Sequence, residues 1–118
     1  MQYILGRLEK EKSGLAVKED SFTIEHILPQ NPNEAWRHSF REDEIDEATY
    51  RIGNMTPLEQ SLNAKVGTES YDEKKKVYQQ SVYQITQNIQ AEDWNMSSIV
   101  RRQESMAEKA VCIWRIDY

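Results

Sequence analysis

The chain has 118 residues, enough for one domain built around one core. Its composition is polar (38% hydrophobic, mean hydropathy −0.83), yet three Trp, six Tyr and two Phe exclude a disordered chain, and no apolar run approaches membrane-spanning length. A net charge of −5 argues against a free-standing nucleic-acid binder, and a single cysteine, Cys112, excludes a disulfide framework or a multi-cysteine zinc site.

Residues 1–12 (MQYILGRLEKEK) read as a short helix, with Tyr3, Ile4, Leu5 and Leu8 apolar and the charges behind them. The stretch lacks the order of a secretory signal, so a cytoplasmic setting without a membrane segment is expected. Gly14 and the polar residues 18–21 end the helix. Residues 22–28 (FTIEHIL) then read as a strand, rich in β-branched and aromatic residues and stopped by Pro29. Residues 30–50 read as a connection with one helical turn around 42–49. That connection carries Glu34, Glu42, Asp43, Glu44, Asp46 and Glu47 against only Arg37 and Arg41, which leaves the remainder close to neutral. Net charge therefore permits a local phosphate contact while predicting weak affinity for DNA by the isolated domain.

Residues 52–58 (IGNMTPL) read as a second short strand, made irregular by Gly53 and Pro57, and residues 62–66 as a helical turn ending at Gly67. Beyond it, Tyr71, Val77 or Tyr78, Val82, Ile85 and Ile89 recur at three- and four-residue steps, giving one apolar stripe. Ile99, Gln103, Met106, Ala107, Ala110, Val111 and Trp114 form a second stripe, whose helix Asn95 or Ser97 can cap. Both stripes read as core-packing faces. The order α, β, loop, β, α, α, α predicts a single α+β domain over residues 1–118: a short two-stranded hairpin surrounded by helices.

Two histidines carry the candidate chemistry. His38, in WRHSF beside the acidic stretch, reads as a surface or half-buried histidine. His26 sits near the end of the first strand with a carboxylate next door, in Glu25-His26-Ile27-Leu28-Pro29-Gln30. Taken alone it suits either a satisfied core histidine or a site residue. A zinc site of His26, His38 and a carboxylate has no recognisable ligand spacing. Asn54, in Arg51-Ile52-Gly53-Asn54-Met55-Thr56, is unfavourable in a strand and so suggests a hydrogen-bonding task, with a bulge or turn as the plainer alternative. Asn63 follows nine positions later.

Together, E-H-I-x-P-Q, a strand bearing G-N and the later Asn resemble the HNH (His-Me finger, ββα-metal) nuclease motif. TIEHILPQ, RIGNMTPLEQSLNAKVG, residues 71–74 with Tyr78 and Ser81 behind them, the closing IWRI and the opening YILGRLE are similar to the C-terminal domain of GmrSD-type restriction endonucleases. The resemblance implies a ββα-metal core acting as a metal-dependent DNA endonuclease or nickase, in defence against phage or modified foreign DNA. It makes His26 the general base that takes a proton from the attacking water. Glu25 and Asn63 stand where the motif holds one divalent cation, and oxygen donors suit Mg²⁺ or Mn²⁺ better than zinc. Asn54 matches the residue that orients the base, and Arg51, Lys65 and Lys74 are candidate phosphate contacts.

The first ligand is Glu where Asp is commoner, and the last motif position is Asn where many HNH enzymes carry His. Adjacent strand residues face opposite ways, so Glu25 and His26 converge only if the strand ends or twists there. Full proteins of the resembled family carry an N-terminal ParB-like NTPase or sensor domain. This chain has no Walker-type glycine loop, and it reads as a C-terminal piece of such a protein or a stand-alone relic. RNA stays open as a substrate because such a site reads phosphate and not base. The alternative of another class is a catalytically silent HNH-like interaction or structural module.

Overall fold

In the computed structural model, which describes residues 2–13 and 22–116, the two strands pair antiparallel as β1 (Thr23–His26) and β2 (Met55–Leu58). Glu25 lies opposite Thr56 and His26 opposite Met55. Both strands are shorter than their sequence pattern. The N–H of Ile27 turns to the carbonyl of Asn54 at 2.9 Å, and that of Leu28 to the Asn54 side chain at 2.8 Å. Residues Ile52–Asn54 form a 3₁₀ turn leading into β2, where a strand was expected. Asn54 takes the turn, for which its side chain is suited, and leaves the ladder to Met55.

Cross-strand partners share a face, so the hairpin divides the interior in two. Thr23, Glu25, Thr56 and Leu58 face one way; Ile24, His26, Met55 and Pro57 face the other. The larger core forms on the first face, where Leu58 meets Val66 of α3 (Gln60–Val66), Tyr71 and Tyr78 of α4 (Tyr71–Tyr78) and Ile99 of α6 (Met96–Ile116). On the second face, Ile24 and Met55 meet Leu5 and Leu8 of α1 (Gln2–Ser13) and Met106 of α6. The architecture is α+β, as expected. The break anticipated at Gly14 and 18–21 lies outside the described residues, as do the side chains of Tyr3, Val111 and Trp114.

Two departures have physical causes. The acidic connection is packed down: Trp36, Phe40, Ile45 and Ala48 are buried in the larger core while the acids around them point to water. Asn33 Nδ2 and Trp36 Nε1 both donate to the carbonyl of Thr68, tying this segment to the turn after α3. The short helix α2 (Ile45–Thr49) is the turn anticipated there. The stripe over residues 71–89 is also divided between α4 and α5 (Gln84–Gln87), and Val82 is 71% exposed. Distant carboxylates supply the acceptors that a continuous helix would have supplied. Glu59 accepts from Ser81 Oγ at 2.6 Å and from the N–H of Val82, and Glu9 of α1 accepts from the N–H groups of Gln84 and Ile85.

Gly53 is where α6 crosses the hairpin most closely. A Cβ at this position would stand 2.2 Å from the carbonyl oxygen of Ile99 and 2.9 Å from Cβ of Gln103. Backbone cannot yield as a flexible side chain can. Gly53→Ala is therefore expected to destabilise the domain by about 1–3 kcal/mol, the usual range for overpacking, read as a lower denaturant midpoint. An unchanged midpoint would show that α6 can shift freely.

Candidate active site

Glu25 is 5% exposed and carries its charge into the larger core. Its Oε2 accepts from Lys74 Nζ at 2.9 Å and from the Tyr78 hydroxyl at 2.7 Å. Lys74 is fully buried, and its ammonium also donates to the carbonyls of His26 and Ile27, each at 3.1 Å. An ammonium has three N–H donors, and all three are used. The Trp36 ring completes the surround, with Nζ 5.6 Å from its centroid. Lys74 therefore departs from the expected phosphate contact: no N–H is left for a phosphate to accept. Burial pushes the lysine pKa down, Glu25 opposes that shift, and burial raises the Tyr78 hydroxyl well above its ordinary value.

Asn54 is fully buried with its amide completely used. Oδ1 accepts from the N–H of Leu28 and from Trp94 Nε1, at 2.8 and 2.9 Å. Nδ2 donates to the carbonyls of Leu28 and Thr49, at 3.0 and 3.1 Å. The side chain has no bond to spare for a reacting group. It fixes the backbone two residues beyond His26.

His26 closes β1 on the opposite face from Glu25, half-buried, its ring edge-on to Tyr50 with centroids 6.0 Å apart. Among the described residues its imidazole makes no hydrogen bond. Burial lowers its pKa below 6.5, Glu25 acts to raise it and Lys74 to lower it. His38 lies exposed in the acidic connection, as expected.

Asn63 of α3 donates through Nδ2 to Thr23 Oγ1 at 2.7 Å, while that hydroxyl donates to the carbonyl of Leu58. The threonine proton is thereby committed, which leaves Asn63 Oδ1 as a spare acceptor. Thr23 and Glu25 share a face two residues apart, about 7 Å along the strand. Glu25 Oε1 likewise lies outside the bonds to Lys74 and Tyr78. These two oxygens fit a hard cation in donor type, with the bonds to Glu25 Oε2 acting as outer supports. Among the described residues no three His, Cys, Asp or Glu side chains gather into a metal-holding group. Arg51 is half-buried, paired with Glu47 at 2.8 Å, its Nε lacking a partner; Lys65 is exposed near the end of α3.

The tasks of Lys74, Tyr78 and Trp94 escape a reading of the sequence. The two aromatics look like stripe or core residues, and their polar ends announce nothing. Lys74 stands three residues after Tyr71 and four before Tyr78, which places it on the same helix face as both. That spacing is the one available signal.

The family model described as GmrSD restriction endonucleases, C-terminal domain, matches residues 1–109. The chain belongs to that family, and its class is that of a restriction-endonuclease domain, a nuclease hydrolase acting on DNA. No curated protein and no solved structure matches the chain. Among the described residues, no helix is long and apolar enough to cross a membrane.

The buried pair makes a direct prediction. Lys74→Met leaves Glu25 charged and uncompensated, which is expected to destabilise the domain by about 3–5 kcal/mol. Glu25→Gln combined with Lys74→Met should recover part of that loss, measured by denaturant unfolding of the single and double variants. Strictly additive losses would mean that the two groups do not interact.

Proposed function

We propose that the domain is a metal-dependent, HNH-type phosphodiesterase that nicks or cuts DNA, the hydrolytic part of a restriction system directed at phage or modified foreign DNA. The observation that carries this reading is His26, a half-exposed imidazole that makes no hydrogen bond among the described residues, at the end of a strand whose following backbone is held by Lys74 and Asn54. A group fixed in position and left unbonded is what general-base catalysis requires. Because burial lowers its pKa, the imidazole is neutral and able to accept a proton at pH 7.

In the reaction, a ring nitrogen of His26 takes a proton from water as the water oxygen bonds to phosphorus. The bond from phosphorus to the leaving nucleotide's oxygen breaks in the same displacement. Asn54 keeps the base in register without touching the substrate. β1 ends at His26, so the two faces meet just beyond it, and groups on opposite faces can address one phosphate there. Glu25 through Oε1 and Asn63 through Oδ1 would hold one Mg²⁺ or Mn²⁺. The bound ion supplies charge neutralisation at the scissile phosphate. Arg51 and Lys65 are the side chains proposed to contact flanking phosphates. The full protein would add an N-terminal ParB-like NTPase or sensor domain that brings this acidic module to DNA in the cytoplasm.

One observation favours a second reading, a catalytically silent HNH-like module: Glu25 is already neutralised by Lys74. A supercoiled-plasmid nicking assay with Mg²⁺, Mn²⁺ or EDTA separates the two. His26→Ala is expected to lose about two or more orders of magnitude in cleavage while melting like the wild type, and His38→Ala to cleave almost normally. Asn63→Ala should weaken Mn²⁺ binding measured by titration. A His26→Ala protein that cleaves at the wild-type rate sinks the assignment, and a wild type that is folded but inert in both metals establishes the silent module.

A further inference from the structure

Five basic side chains are neutralised within the fold: Arg37 by Glu42, Arg41 by Asp43 and Glu44, Arg51 by Glu47, Lys74 by Glu25 and Lys76 by Glu73. Three on α6 are not. Arg101, Arg102 and Lys109 make no ion pair among the described residues, and all three line one groove of about 320 Å³ between α6 and the segment following α5. Among the described residues no acidic side chain lines that groove; its neutral polar groups are Asn88, Gln90 and Ser98, and Ile85 and Ile89 line it as well. Arg101 also borders a neighbouring recess that contains Glu92 and Asp93, so the groove is most positive toward Arg102 and Lys109.

Arg102 is the fixed member. Its Nη1 donates to the carbonyls of Gly53 and Met55 at 3.0 and 2.6 Å, and its Nη2 to Thr56 Oγ1 at 3.0 Å. These acceptors are neutral, so the guanidinium is immobilised with its full charge retained. Burial lowers its pKa to about 10, which still leaves it charged at pH 7. Met55 is the cross-strand partner of His26. Arg102 thereby ties the groove to β2, the strand paired with the one that carries the proposed base.

The guanidinium of Arg102 and the charges of Arg101 and Lys109 meet no counter-charge among the residues that line the groove, so an anion entering it finds positive charge not already neutralised there. The groove is open along α6 and carries its charge in a row. That form suits a polyanionic strand better than a compact anion.

We propose that this groove is a phosphate-recognition site for the backbone of a DNA strand, with Arg101 and Lys109 contacting phosphates and Arg102 providing fixed positive charge beside β2. The inference rests on the nuclease reading for the identity of the strand. It goes further by assigning the binding surface to α6, which none of the expected phosphate contacts occupies.

Arg102 braces β2, so its removal could unfold the domain; the test uses the two side chains that brace nothing. Fluorescence anisotropy of a labelled duplex is measured with the whole chain across about 50–200 mM salt, the range over which phosphate contacts change affinity most visibly. Arg101→Ala combined with Lys109→Ala should weaken binding about tenfold or more at the low-salt end. It should also reduce the slope of log affinity against log salt by about two, one for each phosphate that these side chains neutralise. Lys76→Ala, an exposed α4 lysine paired with Glu73, should change neither. An unchanged slope in the double variant, an equal loss in Lys76→Ala, or no binding by the wild type at low salt each overturns the proposal. Plasmid nicking on the same preparations keeps the two readings apart. Binding that depends on α6 without any cleavage refutes the nuclease assignment and leaves the groove standing; cleavage that survives the double variant unaltered, with unaltered binding, does the reverse.

Discussion

The ammonium of Lys74 is the point on which the hairpin depends. It is buried with every N–H committed, one to the carboxylate of Glu25 and two to the successive carbonyls of His26 and Ile27. Such a pair adds little net stability, because desolvating both charges offsets most of their attraction. Its effect is on register. Sliding β1 by one residue would turn Glu25 to the opposite face and leave a lysine buried without a counter-charge. The strand can occupy one position only, and that position fixes where His26 emerges.

The two faces of the hairpin also explain how neighbouring residues take separate tasks. Glu25 points into the larger core and His26 toward the second, so they differ in solvent access as well as direction. Glu25 and Lys74 act on the imidazole with opposite signs, so their effects oppose each other. Burial of the ring is the largest influence and decides the outcome, holding His26 in its neutral form. The ion pair thus organises the backbone that follows His26.

Much of this was legible in the sequence, for identifiable reasons. FTIEHIL before Pro29, the interrupted IGNMTPL and the helix closed by Gly67 carry local signals, and each produced an element near its expected position. Asn54 was legible as a side chain with a hydrogen-bonding task, because nothing local favours it in a strand. The division of the stripe at residues 79–83 was not legible, since the carboxylates responsible, Glu9 and Glu59, lie far away in sequence. The burial of Lys74 was hidden for the same reason: a surface lysine and a buried one are identical letters, and only the fold brings Glu25 across 49 positions to meet it. The packing of the acidic connection was obscured by its charge, although Trp36, Phe40, Ile45 and Ala48 keep a nearly helical apolar spacing within it.

The long reach of these bonds has a consequence for the timing of synthesis. Chains emerge from the ribosome N-terminus first. When residues 22–58 appear, the hairpin has its hydrophobic faces and the bonds of Asn54 to Leu28 and Thr49, but none of its long-range clamps. Glu25 awaits Lys74 and Tyr78, Asn54 awaits Trp94, and the β2 carbonyls await Arg102. A nascent or prematurely ended chain therefore has the histidine without the scaffold that aims it. The finished arrangement around the hairpin is therefore reached only late in translation, once the residues of α4, Trp94 and α6 have been made.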